Sequence, residues 1–443
     1  MNAIRRAVVK TLPSAALLLA MSGCSLYSDV SISPLILEPS KIERGTDVHS
    51  MIRKNDYLRA IEMGPVLVAR QRKNAADLGA LGTACLAAGR YDDARQHLRS
   101  ALDLGPFRTS YAQIAWDLSQ VEYLQNNYET SLEWANIAME HGLGVRRWHI
   151  DYLTEMTKQP AYRFQGLPSD ELPMRFGRPN VPRLDIRLNK AKDVQGIIDS
   201  GAVLSIISQR LATELSVRRL GTFRGEFYGL LGEPISVEFG MLDSIEIGAI
   251  IVENVPVAIM PDAKMSFLIT DEGKREFKMD FLLGANLLKE FRIDLNFDRN
   301  RVTFTKLTSR DRVPAPDQNL FFEGFRPFVR GTVNGRGWFL FVLDTGSEVT
   351  FLNDSQMHKL PVSFIAPRGH NAVLQGLGGA QKNGAKLEGV SVGVDKWNGS
   401  FRTIPMYESE EHEPSAGIIG ENFLRNFNVT IDFGRMRLDL VRR

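Results

Sequence analysis

The spacing of apolar and polar residues divides this chain into a helical part and a β-rich part. From about residue 48 to residue 155 the apolar residues recur at helical spacing, whereas from about residue 183 to the end short alternating segments dominate. Arg183–Leu188 alternates strictly, and Asn334-Gly335 places a hairpin turn between two strand-like runs. The pattern therefore predicts a multidomain α + β protein whose C-terminal part is all β.

The helical part contains an internal repeat. Tyr57 and Tyr91 are 34 residues apart, and Tyr128 follows 37 residues later. The central copy resembles a tetratricopeptide (TPR) repeat, because small, apolar and turn residues occupy the expected positions: Gly82, Gly89, Tyr91, Ala94, Leu98, Ala101 and Pro106. Three copies are about the minimum for a TPR-like solenoid. For residues 48–155, a groove for a protein partner and a spacer that holds the next domain away from the membrane are equally good interpretations.

Two segments are predicted to connect domains. Residues 156–182 contain five prolines and are interpreted as a linker. A polar, proline-containing stretch, 308–319, separates two β-rich halves at 183–307 and 320–443.

The N-terminus resembles a bacterial lipoprotein signal peptide. Arg5, Arg6 and Lys10 precede a short apolar run that ends at Met21-Ser22-Gly23-Cys24, although the family usually has Leu where this chain has Met21. The resemblance implies that residues 1–23 are removed and that Cys24 is lipidated. Residues 24–47 contain several serines and prolines without sustained periodicity and are interpreted as a tether. Because Ser25 replaces the Asp typical of inner-membrane retention, the periplasmic face of the outer membrane is favoured. An ordinary secretory signal is the alternative.

Composition excludes several functions. The net charge of +2 over 443 residues gives no case for nucleic-acid binding. Seven scattered histidines and two cysteines show no ligand spacing, so no metal and no cofactor are predicted. If Cys24 is acylated, Cys85 is alone, and its apolar helical surroundings predict a buried packing role.

The two β-rich halves share three motifs in the same order. Two apolar residues, Asp, a hydroxyl residue, Gly and a small residue occur at 197–202 and again at 342–347. A Gly-rich hairpin begins 30 residues after the first Asp and 32 residues after the second. An apolar pair, Gly, any residue and Asn follow, at 282–286 and 418–422.

Each half therefore resembles one lobe of a retropepsin/pepsin-type aspartic protease, over roughly 183 to 441. The resemblance implies two retropepsin-like barrels around one cleft. It assigns the catalytic pair to Asp199 and Asp344. It further assigns the active-site turns (Ser200, Gly201, Ala202, Thr345, Gly346, Ser347), the flaps that bind substrate (Tyr228, Gly229, Gln375, Gly376, Gly378) and structural support (Gly284, Asn286, Gly420, Asn422). Ser200 and Thr345 are expected to hydrogen-bond to the opposite lobe.

The two copies are not identical, and the differences predict unlike environments. Ser347 can donate a hydrogen bond to the carboxylate of Asp344, whereas Ala202 cannot do so for Asp199. Because such a bond lowers a carboxyl pKa, its loss predicts activity nearer neutral pH. Tyr228 resembles the flap tyrosine of pepsin-like enzymes, whereas the other flap has Gln375.

The sequence predicts an aspartic endopeptidase, anchored in the membrane by lipid and facing the periplasm. A water molecule would be activated by two carboxyl groups that share one proton. The alternative is a non-catalytic lipoprotein that binds peptides or proteins through the cleft and the repeats. A dimer that pairs lobes between chains is a third interpretation, although one chain already contains a complete pair.

Overall fold

The computed structural model describes residues 30–36, 46–70, 74–105, 108–177, 179–228, 234–269, 275–354, 370–375, 381–407 and 415–443. These residues form a helical unit within Gly45–Pro160 and a β unit that comprises Ala161–Arg443 and residues 30–36. The predicted signal peptide and Cys24 lie outside the described residues. Within the described ranges, no helix has both the length and the apolar character needed to cross a membrane.

The helical unit contains α1 (Val48–Arg53), α2 (Tyr57–Arg70), α3 (Ala75–Ala87), α4 (Tyr91–Asp103), α5 (Arg108–Leu124), α6 (Tyr128–Glu140) and α7 (Arg147–Met156). The repeat is visible in the helix starts, because Tyr57, Tyr91 and Tyr128 each begin a helix. A Cβ at Gly82 would lie 2.5 Å from Cγ of Leu98, so α3 and α4 approach closely, as the pattern predicts. Cys85 is buried, and burial raises the pKa of its thiol to about 12.

The first part of the β unit contains β1 (Val30–Pro34), β2 (Arg163–Gly166), β3 (Ser169–Pro173), β4 (Arg183–Leu188), β5 (Lys192–Ile198), β6 (Ser205–Ser208), α8 (Gln209–Glu214), β7 (Arg218–Arg219), β8 (Gly225–Tyr228), β9 (Pro234–Ile247), β10 (Ile250–Met260), β11 (Ser266–Ile269), β12 (Arg275–Lys278), β13 (Phe281–Leu283), α9 (Ala285–Leu288), β14 (Phe291–Asn296) and β15 (Arg301–Lys306). The second part contains β16 (Leu320–Glu323), β17 (Arg326–Val333), β18 (Arg336–Leu343), β19 (Phe351–Asn353), β20 (His370–Gln375), β21 (Gln381–Val394), β22 (Trp397–Tyr407), β23 (Gly417–Ile419), α10 (Glu421–Leu424), β24 (Phe427–Asp432) and β25 (Arg437–Arg442).

Six strands close into a barrel in each half. In lobe 1 (residues 183–307) the order is β10-β6-β13-β5-β4-β9, and β9 pairs back with β10. In lobe 2 (residues 320–443) the order is β22-β19-β23-β18-β17-β21, and β21 pairs back with β22. The alternating segment Arg183–Leu188 forms β4, and its apolar residues Leu184, Ile186 and Leu188 are buried inside the first barrel. The prediction of two similar all-β lobes is confirmed.

A five-stranded sheet joins the lobes, in the order β25-β24-β14-β15-β3. Its central pair, β14 and β24, brings one strand from each lobe together, with Leu295 opposite Val429. Phe291 and Phe427, which lie seven residues after Gly284 and Gly420, begin these two strands and are both buried.

Two connecting segments are more structured than the sequence suggested. The predicted linker 156–182 contributes β2 to the lobe 1 sheet and β3 to the joining sheet. The predicted tether 24–47 contains β1, which pairs with β22 of lobe 2. Both predictions are wrong for these strands. Pro34 and Pro173 end strands that lie at the edge of a sheet, where a proline removes no necessary hydrogen bond.

Candidate active site

The two aspartates occupy the same place in their lobes. Each follows a barrel strand, β5 for Asp199 and β18 for Asp344. The main-chain N–H of Asp199 donates to the carbonyl of Leu283 at 3.0 Å, and that of Asp344 donates to Ile419 at 3.1 Å. These acceptors end β13 and β23, the strands that lead into Gly284 and Gly420 of the motifs at 282–286 and 418–422 (the Gly motifs). The strand that leads into each motif glycine therefore fixes the position of one aspartate.

The turns bring the two carboxyl groups together. A Cβ at Gly201 would lie 2.4 Å from Cγ of Asp344, and a Cβ at Gly346 would lie 2.5 Å from Cγ of Asp199. Only glycine permits this approach without displacing a carboxyl group. Both aspartate side chains are fully buried.

Crossed hydroxyl groups lock the turns across the lobe boundary. The hydroxyl of Ser200 donates to the carbonyl of Leu343 at 2.7 Å, and that of Thr345 donates to Ile198 at 2.7 Å. Each hydroxyl also accepts the main-chain N–H of the other residue at 3.1 Å. These hydrogen bonds match the expectation for Ser200 and Thr345, and all of them are buried.

The Gly motifs brace the turns from behind. A Cβ at Gly284 would lie 2.3 Å from the carbonyl carbon of Leu204, and one at Gly420 would lie 2.7 Å from that of Val349. A larger side chain would therefore displace the main chain that follows each aspartate, as the sequence predicts for these two glycines.

The motif asparagines support the same main chain. Oδ1 of Asn286 accepts the N–H of Ser205 at 2.7 Å, and Oδ1 of Asn422 accepts that of Thr350 at 2.8 Å. The hydroxyls of Ser205 and Thr350 in turn accept the N–H of the motif glycines, both at 3.0 Å. Sequence reasoning missed Ser205 and Thr350. The sequence signal that could have identified them is a hydroxyl residue six positions after each aspartate.

The surroundings of the pair favour a retained proton. Burial raises the pKa of both carboxyl groups, and the negative charge of Asp199 raises the pKa of Asp344 further. Each Oδ1 accepts one main-chain N–H, from Ala202 at 3.0 Å and from Gly346 at 2.9 Å. The Oδ2 atoms are buried and receive no hydrogen bond from donors elsewhere in the described residues. When one of the two carboxyl groups is protonated, its Oδ2 hydroxyl can therefore donate a hydrogen bond to the Oδ2 atom of the other.

The predicted role of Ser347 is wrong. Its hydroxyl donates to the carbonyl of Val349 at 3.0 Å and not to the carboxylate of Asp344. The difference between Ala202 and Ser347 therefore gives no reason for unequal pKa values in the pair. The acceptor at Val349 lies only two residues along the chain, and this local bond satisfies the hydroxyl within its own turn.

The flap residues are only partly described. Tyr228 is half-buried at the end of β8, and its hydroxyl lies 3.2 Å from a carboxylate oxygen of Glu226. Gln375 ends β20, and its side chain is outside the described part. Gly229, Gly376 and Gly378 lie outside the described residues, so the predicted flap roles stay predictions.

Two further acids lie behind the Asp344 turn, and sequence reasoning did not select them. Glu348 and Glu421 are buried where lobe 1 has Val203 and Ala285. The main-chain N–H of Glu421 donates to the carbonyl of Ser347 at 2.8 Å. In the ranges that the structure describes, no three His, Cys, Asp or Glu side chains are grouped to hold a metal ion.

Two similar barrels that contribute matching Asp-hydroxyl-Gly turns to one buried carboxyl pair define an aspartic protease-like region. Comparison with protein families agrees: residues 184–287 match the family described as aspartyl protease, and residues 324–432 match the family described as retroviral aspartyl protease. The chain therefore contains a retropepsin-like aspartic protease region.

Several solved structures are similar to this chain. A retropepsin-like aspartic protease from Rickettsia conorii is 15% identical, with 33% of this chain and 97% of that chain covered and a TM-score of 0.21. An aspartic proteinase from Irpex lacteus is 10% identical, with 62% and 97% covered and a TM-score of 0.37. Basic 7S globulin from soybean is 12% identical, with 62% and 95% covered and a TM-score of 0.36. A comparison with curated proteins gives no match.

Proposed function

We propose that this protein is an aspartic endopeptidase that uses Asp199 and Asp344 as one catalytic pair. The observation that carries the proposal is the contact between the two active-site turns, where each glycine faces the carboxyl group of the opposite lobe. The crossed hydroxyls of Ser200 and Thr345 hold this contact across the lobe boundary. A duplicated chain supplies both carboxyl groups without a second subunit.

The chemistry follows from one proton shared by two buried carboxyl groups. The ionised carboxyl accepts a proton from water while the water oxygen attacks the peptide carbonyl, and the protonated carboxyl donates to the carbonyl oxygen. The resulting intermediate then loses the amine as the proton moves to its nitrogen. Burial and mutual repulsion keep the pair singly protonated over a wider pH range than separate carboxyl groups.

An extended peptide is the proposed substrate, bound between the barrels by main-chain hydrogen bonds and covered by the two hairpins. Cys24 is the proposed lipidation site, and the periplasmic face of the outer membrane is the proposed location. The signal-like residues 5–24 support both proposals. A protein partner for the TPR-like repeats is also part of the proposal.

Hydrolysis of a peptide library tests the catalytic proposal. Asp199→Asn and Asp344→Asn should each lower the rate by about 10²–10⁴-fold, because each removes one acid–base partner. Asp243→Asn is the matched control, since this aspartate is exposed on β9 of lobe 1. Full activity in both site variants would refute the proposal. Binding of a statine inhibitor without any hydrolysis would instead favour the non-catalytic binding protein.

A further inference from the structure

The strand β1 occupies a defined position on lobe 2. It runs antiparallel to the first half of β22, with Val30 opposite Phe401 and Pro34 opposite Trp397. The main-chain N–H of Leu35 continues the ladder with a hydrogen bond of 2.8 Å to the carbonyl of Lys396. The second half of β22 pairs with β19 instead, so β1 covers the part of this edge that β19 leaves open.

Lobe 1 fills the equivalent position with a different strand. There β2 runs antiparallel to the beginning of β10, with Gly166 opposite Ile250. Because Ile250 and Trp397 begin equivalent barrel strands, β1 and β2 are equivalent edge strands. One precedes the helical unit in the chain and the other follows it. Both lobes are therefore completed by strands that lie outside the duplicated 183–443 segment.

The surface of lobe 2 that contacts β1 is complementary to the side chains of this segment. Val30 and Ile32 are half-buried against the lobe, whereas the alternating Ser31 and Ser33 are exposed. A Cβ at Gly399 would lie 3.1 Å from Cγ1 of Val30. A Cβ at Gly393 would lie 2.6 Å from Cδ1 of Leu35. The glycines on β21 and β22 thus leave the space that the apolar side chains of this segment occupy.

We propose that β1 is a non-covalent clip through which lobe 2 itself is held at the membrane. The proposal rests on the proposed lipid at Cys24, which lies six residues before Val30. Six residues span at most about 20 Å when fully extended. The edge of lobe 2 therefore stays within about 20 Å of the acylated residue. The helical unit follows the clip in the chain and is not the spacer, so the proposed substrates are protein segments close to the bilayer.

Two engineered cleavage sites for a specific protease test the clip in cell-envelope membranes. One site is inserted after Arg44, between β1 and the helical unit, and the other after Ser25, between the lipid and β1. Cleavage after Arg44 should leave the large fragment in the membrane pellet until urea is added. Cleavage after Ser25 should release it at once. Immediate release after the Arg44 cut as well would overturn the proposal.

Substitutions on the two faces of β1 provide matched controls for the cut after Arg44. Val30→Asp with Ile32→Asp places two charges on the face toward the lobe, and the cut fragment should then be lost from the pellet. Ser31→Asp with Ser33→Asp adds the same charges to the exposed face and should retain the fragment. Equal behaviour of the two pairs would refute the clip.

Three measurements separate the possible failures. If the uncut protein does not sediment with membranes, the proposed lipid anchor is wrong and the clip proposal fails with it. Sedimentation of the uncut protein with release after the Arg44 cut rejects only the clip. Peptide hydrolysis, measured on the same uncut protein, reports the catalytic proposal independently of both.

Discussion

Replacing Glu421 with Gln should stabilise the β unit at neutral pH and leave its stability unchanged near pH 4.5. The carboxyl group is fully buried beside the Asp344 turn, and neither oxygen receives a hydrogen bond from the described residues. Burial raises the pKa of Glu421 from 4.5 to about 8; the charge of Arg425 lowers it and that of Glu348 raises it. In the folded state the group is therefore protonated at neutral pH.

The sign of the pH effect follows from proton binding in the two states. Between pH 4.5 and about pH 8 the folded protein holds a proton that the unfolded chain has released, so stability falls as pH rises through this window. Each pKa unit corresponds to about 1.36 kcal/mol. From pH 4.5 to pH 7 the loss is about 3 kcal/mol, and Gln avoids it because it is neutral in both states.

Urea unfolding at pH 4.5 and pH 7 measures this difference. Hydrogen exchange of peptides from lobe 2 should be the probe, because it reports the β unit separately from the helical unit. Glu388→Gln is the control, since its carboxylate is exposed on β21 and should change stability equally little at both pH values. An equal gain for Glu421→Gln at both pH values would show that its carboxyl group does not hold the proton.

Two other predictions concern the turns. Ser200→Ala removes the buried hydrogen bonds that its hydroxyl makes across the lobe boundary and should cost about 1–3 kcal/mol in urea unfolding with a marked loss of hydrolysis. Thr345→Ser keeps its hydroxyl and should retain most activity. Gly284→Ala should cost several kcal/mol or prevent folding, because its Cβ would overlap the main chain behind Asp199. Gly144→Ala is its control, with open space around the new Cβ, and similar melting temperatures for the two alanine variants would contradict the bracing role.

The duplicated architecture was predictable because its determinants recur at nearly equal spacing. The turns at Asp199 and Asp344 and the glycines at 284 and 420 each have a steric reason that holds in both copies. The edge strands β1, β2 and β3 were missed for the opposite reason. They are short, two of them end in proline, and their partners lie far along the chain, so no local pattern distinguishes them from connecting segments.

Side-chain geometry was the least predictable level. The sequence shows that Ser347 has a hydroxyl near Asp344, but it does not show which acceptor that hydroxyl takes, which is the carbonyl of Val349. The burial of Glu348 and Glu421 was not predicted either. Acidic residues are rarely buried, so the sequence predicts that both are exposed. Only their alignment with the apolar Val203 and Ala285 of lobe 1 indicates that they point inward.

The unlike residues behind the two turns show what fusion into one chain permits. In an assembly of two identical subunits, every substitution appears on both sides of the symmetry axis. Acids equivalent to Glu348 and Glu421 would then be buried behind both turns, and the unfavourable free energy of burying an acidic side chain would arise twice. A tandem gene product can change one copy alone. One lobe is thus free to acquire a proton-holding group while its counterpart keeps the apolar Val203 and Ala285.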